Sequence, residues 1–313
     1  MNMRKSCKDL IVIRVDGGIC SQIAFVALGL QLQTLGNRVK YDLSWYQHNG
    51  KDMTGAFVRN WDFPKAFPSI GIEEATLEEI DYLRTRHFRV GEMVKSFRPP
   101  LYIGGYPDRS EAILSKRSTL RDAFKPELDD CMRKSLNEIA AHPSCAVHVR
   151  RGDLANVGVY YGGATSTTYF KRAMTMIAGL EPGVKFFFYS DEPDWVRREL
   201  LPLVSPDRAV VMDANGSDKG YLDLYLMAQS EYVIASIGSL GVFAGVLSSR
   251  NRMLMLSSVQ DWVSGGVPNV CYLNDDYGRR AVAARDEMLV GVNEQRLRGV
   301  GRHLFRLWRK FVV

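Results

Sequence analysis

Strand-like runs alternate with helix-like runs through the second half of the chain, and that alternation limits the fold more than any other feature. The pattern predicts strands over 145–149, 185–190, 209–213, 232–236 and 253–257, separated by helices over 168–180, 194–201, 219–229 and 242–248. Such a series buries its apolar faces as a parallel sheet with helices on both sides, a doubly wound α/β domain. Ligands of such a domain bind beyond the carboxyl ends of the strands, so the loops after each strand are where chemistry is expected.

A shorter version opens the chain. A β-branched run over 11–15 is broken by Asp16-Gly17-Gly18, a helix is predicted over 22–35 with Gly36 as its stop, and a strand follows over 39–45. This is a βαβ unit, which implies parallel pairing. Residues 46–140 are aromatic and interrupted by proline, and they read as helices and loops, with helical stretches around 72–86 and 126–140. At 313 residues the chain fits about two domains of ~150 residues. The boundaries expected are 1–141 for an N-terminal domain, 142–279 for a C-terminal Rossmann-like domain and 280–313 for a helical tail.

Composition narrows the class. Hydrophobic residues at 46% and charged residues at 24% exclude disordered and fibrous chains. No apolar run reaches the ~18 residues of a membrane span, and the start of the chain has no signal-peptide core, so a cytoplasmic protein is expected. The five cysteines form no CxxC pair and suggest neither a disulfide framework nor a zinc site. The net charge of +6 is concentrated in the tail: Arg296, Arg298, Arg302, Arg306, Arg309 and Lys310 stand there without an acid, and the rest is neutral at 35 basic against 35 acidic residues. A basic pI therefore implies no nucleic-acid partner for the folded body. On a helical wheel Leu297, Val300, Leu304, Leu307, Trp308 and Phe311 share the face opposite the basic residues. That pattern suits either an anionic membrane surface or packing on the body.

The strand ends carry unusual residues. After the strand at 145–149 the chain reads His148-Val149-Arg150-Arg151-Gly152-Asp153. Arginine offers a planar fork for phosphate oxygens, and a neighbouring carboxylate can hold it in place. In isolation Arg151 and Asp153 would read as a structural ion pair and His148 as a core residue; the whole hexapeptide favours a site. Tyr189-Ser190-Asp191 ends the next strand. Ser236-Ile237-Gly238-Ser239-Leu240-Gly241 opens a helix whose amides would face an anion. Asp223 is the one carboxylate in an otherwise apolar helix. It is either a surface residue or an acceptor for the edge of a nucleobase.

The runs HVRRGD, YSD and LDLYLMAQSEYVIASIGSLGVF, with GGICSQ near the start, resemble the α-1,2-fucosyltransferases and, more distantly, the α-1,6- and protein O-fucosyltransferases. The resemblance spans about 11–257 and implies a GT-B fold, two Rossmann-like domains facing a cleft. It implies that Arg150 grips the β-phosphate of GDP-fucose, His148 contacts the nucleoside and Asp223 reads guanine. Ser236, Ser239 and Leu240 would surround the diphosphate, with Arg151, Ser190 and Asp191 nearby. Gly17, Gly18 and Gln22 would form a glycine loop facing the donor from the N-terminal domain. The chain departs from the family at Ile19-Cys20-Ser21, where the family has Leu-Gly-Asn, and at Leu240-Gly241-Val242-Phe243-Ala244, where it has Phe-Ser-Trp-Trp-Gly.

The expected activity is inverting transfer of L-fucose from GDP-fucose to the 2-hydroxyl of a galactose-containing glycan, in surface polysaccharide synthesis, on a lipid-linked acceptor if the tail binds membrane. Other fucosyl linkages, or a binding protein that has lost catalysis, are the alternatives. No Asp-x-Asp or HExxH occurs, so no metal cofactor is expected, and guanidinium and helix amides would neutralise the leaving diphosphate. Asp16 and Asp153 are the candidates for the acceptor base, with Arg150 the third catalytic residue.

Overall fold

The computed structural model describes residues 3–48, 50, 51, 57–90, 96–156, 164–216, 218–250, 254–257, 266, 267, 269–273 and 275. The tail over 280–313 lies outside the described residues.

Strands β1 (Leu10–Arg14), β2 (Arg38–Asp42), β3 (Phe88–Val90) and β4 (Leu101–Gly104) form one parallel sheet in the order β2-β1-β4-β3. Strands β5 (Ser144–Val149), β6 (Lys185–Ser190), β7 (Ala209–Val211), β8 (Tyr232–Ala235), β9 (Leu254–Ser257) and β10 (Val270–Tyr272) form a second, in the order β10-β9-β8-β5-β6-β7. All its pairings are parallel too. Counted from β5, this is the Rossmann order 3-2-1-4-5-6. The chain winds outward from β5 through β6 to β7, then returns to β8 on the other side. The gap between the carboxyl ends of β5 and β8 is therefore the topological switch point, where ligands bind.

Side chains alternate between the faces of each strand, as a sheet covered on both sides requires. Cys145, Val147 and Val149 pack with Phe186, Phe188 and the helix Thr167–Leu180. Ala146, Phe187 and Tyr189 point the other way, toward the helices Gly220–Ala228 and Ser239–Leu247. In the first sheet Leu10, Val12 and Tyr102 face the helix Leu77–Arg86, while Ile11, Ile13 and Ile103 face the helix Ile19–Thr34. The inner clusters of the two sheets are one, running from Ile13 through Phe25 and Val242 to Phe187.

Three strands differ from the sequence expectation. β3 and β4 lie in the stretch read as helices and loops, and β10 follows the last expected strand. Each has three or four residues, as β7, β8 and β9 do, but lies outside the regular strand–helix alternation that made those three visible. The helix expected at 242–248 begins at Ser239, which brings its first turn to the switch point.

Candidate active site

Two adjoining cavities of about 320 Å³ each lie between the sheets. His148, Arg150, Gly220, Leu240 and Arg59 border both. The first is closed by Gly18, Ile19, Cys20 and Ser21 from the N-terminal half and by Ile237, Gly238 and Ser239 from the C-terminal half. The second runs on to Tyr189, Asp191, Asn215 and Asp223.

Two helix N-termini converge on the first cavity. The helix Ile19–Thr34 starts after Gly18 and the helix Ser239–Leu247 after Gly238, and no described side chain caps either start. Their first-turn amides and the positive ends of their dipoles are thus available to an anion. Gly238 has φ +106°, which disfavours any other residue. Gly241 is needed for closeness: a Cβ there would lie 2.9 Å from Cβ of Ala235 and 3.0 Å from Cβ of His148.

The arginine is aimed by a carboxylate. Arg150 Nη1 lies 2.7 Å from Asp191 Oδ2, and Asp191 Oδ1 accepts the backbone N–H of Arg151 at 2.9 Å. Gly152 makes room for this pair, since a Cβ would meet Asp191 Oδ2 at 2.7 Å. His148 is buried and hydrogen-bonded through Nδ1 to Ser236 Oγ at 3.1 Å, and Ser236 Oγ also accepts the backbone N–H of Arg150 at 2.9 Å. Burial, and secondarily the Arg150 charge, lower the His148 pKa to about 3, so the ring is neutral at physiological pH. The Thr165 hydroxyl accepts the Ile237 N–H at 2.9 Å, and Tyr169 donates to the Ala235 carbonyl at 2.9 Å, fixing the loop after β8 from behind.

At the far end of the second cavity Asp223 accepts from Asn215 Nδ2 at 2.7 Å. Burial raises its pKa to about 7. The Tyr189 hydroxyl, fully buried beside it, makes no hydrogen bond among the described residues.

The structure thus brings His148, Arg150, Ser190, Asp191, Asp223, Ser239, Leu240 and Gly18 to the cavities. Other expected residues sit elsewhere. Gln22 is fully buried: its Nε2 donates to the carbonyls of Asn60 and Gly17, and its Oε1 accepts the N–H groups of Asp62 and Phe63. Gln22 is therefore framework and has no polar atom left for a ligand. Arg151 turns away to stack on Trp195 at 4.0 Å and bond Glu192 at 3.2 Å, so it does not border either cavity. Ser236 acts through His148 and Arg150 as above. Gly17, at φ +80°, turns the chain and accepts the Tyr46 hydroxyl through its carbonyl. Asp16 accepts the Tyr106 hydroxyl and lies 4.0 Å from Arg14, at the carboxyl end of β1. Asp153 stands in the short helix Gly152–Asn156, and its side chain is outside the described residues. Sequence reasoning missed Arg59 and Asn215. Arg59 stands in no motif and Asn215 only in the glycosylation sequon Asn215-Gly216-Ser217, which says nothing of a nucleotide site, and their placement is a product of tertiary closure.

Among the described residues no cluster of His, Cys, Asp or Glu could hold a metal ion, and no helix is long and apolar enough to cross a membrane.

The chain is similar to NodZ α-1,6-fucosyltransferase soaked with GDP-fucose, at 13% identity over 80% of this chain and 95% of that one, with a TM-score of 0.48. It is similar to POFUT1 in complex with GDP, at 10% over 85% and 99%, with a TM-score of 0.46. It is also similar to the E. coli heptosyltransferase WaaC with ADP, at 9% over 91% and 99%, with a TM-score of 0.44. Likenesses of this extent say nothing of substrate. No curated protein sequence matches the chain. The model of glycosyl transferase family 11 matches residues 71–261, which span the arginine motif, Asp223 and the loop after β8. The chain belongs to glycosyl transferase family 11, the α-1,2-fucosyltransferase family that its motifs resemble.

Proposed function

We propose that the cleft transfers L-fucose from GDP-fucose to the 2-hydroxyl of a galactose-containing glycan, with inversion and without a metal ion. The observation that carries this reading is a cleft of two adjoining cavities, one running to Asp223 and Asn215 and the other where Arg150 and two uncapped helix N-termini meet. Asp223 accepts from the guanine edge. Arg150, held by Asp191, and the amides of Gly238 and Ser239 take the diphosphate. The fucose then lies toward Gly18 and the N-terminal half.

In the displacement the acceptor oxygen attacks the sugar C1, the C1–O bond to the β-phosphate breaks with its electrons, and the acceptor proton passes to a base. Fixed positive groups stabilise the charge that develops on the leaving diphosphate. Asp16 is our choice for the base: it follows β1 at its carboxyl end, two residues before the Gly18 that borders the first cavity, although its own carboxylate is held by Tyr106 and borders neither cavity. Asp16→Asn is expected to lower kcat by ~100-fold or more while leaving GDP affinity unchanged. A variant within a few-fold of wild type would return Asp16 to a role in fixing Tyr106.

The test of the whole reading is release of GDP from GDP-fucose with and without galactosides, repeated in EDTA. Acceptor-dependent GDP release that persists in EDTA supports it, whereas GDP binding without turnover would mark a binding protein. The natural acceptor we infer is a lipid-linked saccharide of a surface polysaccharide, made at the cytoplasmic face of the membrane. The six basic residues over 296–313 would contribute ~1 kcal/mol each near an anionic surface. Truncation before Arg296 should then abolish co-sedimentation with anionic vesicles and spare transfer to a soluble galactoside. Equal sedimentation of both forms would remove the membrane from this reading.

A further inference from the structure

Arg59 borders both cavities of the cleft and a third, smaller one beside Gly18, although it belongs to the half of the molecule opposite Arg150. Its guanidinium carbon lies 5.4 Å from the centroid of the Phe57 ring, and that of Arg150 lies 6.0 Å from the same centroid. Two cations from opposite halves thus gather at one ring. A dianion in the cavities that both arginines border would be met by positive charge from both halves.

The position of Arg59 is also built with care. Its N–H donates to the Gly50 carbonyl at 2.5 Å. The next residue, Asn60, receives Gln22 Nε2 on its carbonyl at 2.7 Å, and Gln22 Oε1 takes the N–H groups of Asp62 and Phe63 at 3.0 and 2.9 Å. The buried glutamine of the glycine loop therefore pins the segment that carries Arg59. Gly18 lies alongside: a Cβ there would be 4.0 Å from Arg59 Cδ, an ordinary van der Waals contact, so the loop packs against the arginine stem. Gln22 and Gly18 of GGICSQ thus both reach the segment that carries Arg59, the first through the backbone of its neighbours and the second beside its stem.

We propose that Arg59 is a second catalytic guanidinium, which binds the donor's diphosphate from the acceptor side and neutralises the charge it gains as the C1–O bond breaks. Gln22 is its positioning residue, acting through the backbone of Asn60, Asp62 and Phe63. The inference rests on the donor reading above for the nucleotide, but not for the diphosphate itself. It accounts for a leaving group met by charge from both halves, so that full neutralisation needs the cleft as a whole.

The experiment measures binding of inorganic pyrophosphate, GDP and guanosine to wild type, Arg59→Ala, Arg59→Gln and Arg59→Lys, alongside turnover of GDP-fucose. Arg59→Ala and Arg59→Gln are expected to weaken pyrophosphate and GDP at least tenfold, to leave guanosine unchanged, and to lower kcat ~100-fold, the usual loss when one such donor is removed. Arg59→Lys should recover part of each loss. If Arg59 only braced the segment 59–63, guanosine affinity and melting temperature would fall together and Lys would restore nothing, which overturns the proposal. Pyrophosphate affinity equal to wild type in the neutral variants overturns it as well. A wild-type protein that binds pyrophosphate but not GDP refutes the nucleotide reading alone, and one that binds neither refutes both. Should the alanine variant fail to fold, the Gln and Lys variants still contrast a neutral with a charged side chain at near-constant size.

Discussion

Arg150 illustrates how much of this site depends on direction rather than charge alone. Its Nη1 is 2.7 Å from Asp191, which also fixes the backbone at Arg151, so the direction of the guanidinium is set before a ligand arrives. An ammonium cannot divide itself between a carboxylate and a phosphate in that geometry. Arg150→Lys should therefore lose ~2–4 kcal/mol of transition-state stabilisation, nearly as much as Arg150→Ala. Asp191→Asn should lose a smaller part of it, read as kcat/KM on GDP-fucose. A lysine variant with most of the wild-type turnover would contradict this.

Asp223 gives a pH signature. Burial raises its pKa from 3.8 to about 7, so the folded chain keeps a proton that the unfolded chain releases between those values. Stability on this account falls as pH rises through that window, and Asp223→Asn should flatten the slope and stabilise the nucleotide-free protein above pH 7. Guanine needs the ionised acceptor, so GDP binding at pH 6 should release close to one proton, and Asp223→Asn should abolish that release. Calorimetry in two buffers of different ionisation enthalpy measures it. The HVRRGD run and Asp223 stood out in the sequence because charge is rare next to buried strands and in apolar helices. Arg59 did not, because it is one arginine in an irregular aromatic stretch and acquires its meaning only from Gln22. Gln22 and Arg151 were misread for the converse reason, since a motif names its residues without saying which of them support the others.

At the level of elements, the donor half was legible because its strands alternate regularly with helices. β5, β6 and β8 have four to six residues with buried cores, and the runs of β-branched and aromatic residues announced them. β4 was not legible: Leu101-Tyr102-Ile103-Gly104 is four residues long, follows Pro99-Pro100 and is set by pairing with β1 and β3. The start of the helix Ser239–Leu247 was placed three residues late because its glycines lower helix propensity, while tertiary contact overrides that preference. Those glycines make a prediction. A Cβ at Gly241 would meet Cβ of Ala235 at 2.9 Å, the backbone Cα of Ala235 at 3.1 Å and Cβ of His148 at 3.0 Å, none of them the end of a flexible chain. Gly241→Ala should push the helix off the sheet, cost ~1–3 kcal/mol in chemical denaturation and weaken GDP by displacing the amides at Gly238 and Ser239. Unchanged denaturation midpoint and GDP affinity would mean that the helix start floats freely on β8.

Across the whole molecule, the two sheets share a core. Helix Ile19–Thr34 of the first half and helices Gly220–Ala228 and Ser239–Leu247 of the second lie in one apolar cluster that reaches both sheets. Arg117 Nε donates across it to the Val246 carbonyl at 2.7 Å, and Phe124, stacked on Phe67 at 4.9 Å, meets Tyr225 edge-on at 5.2 Å. A cleft between halves joined this way has a fixed floor, which suits a reaction needing positive groups from both sides. Neither half can then unfold without exposing the apolar face of the other. Calorimetry should accordingly show a single transition, and GDP at ~100 times its Kd should move all of it upward, equivalent to ~2.7 kcal/mol. Phe124→Ala, which removes a nearly fully buried ring at the junction, should cost ~3–5 kcal/mol and split the transition in two, with GDP then shifting only the part that contains Asp223. Two transitions already present in the wild type, only one of them moved by GDP, would show that the halves fold separately and that the shared cluster is a contact between finished cores.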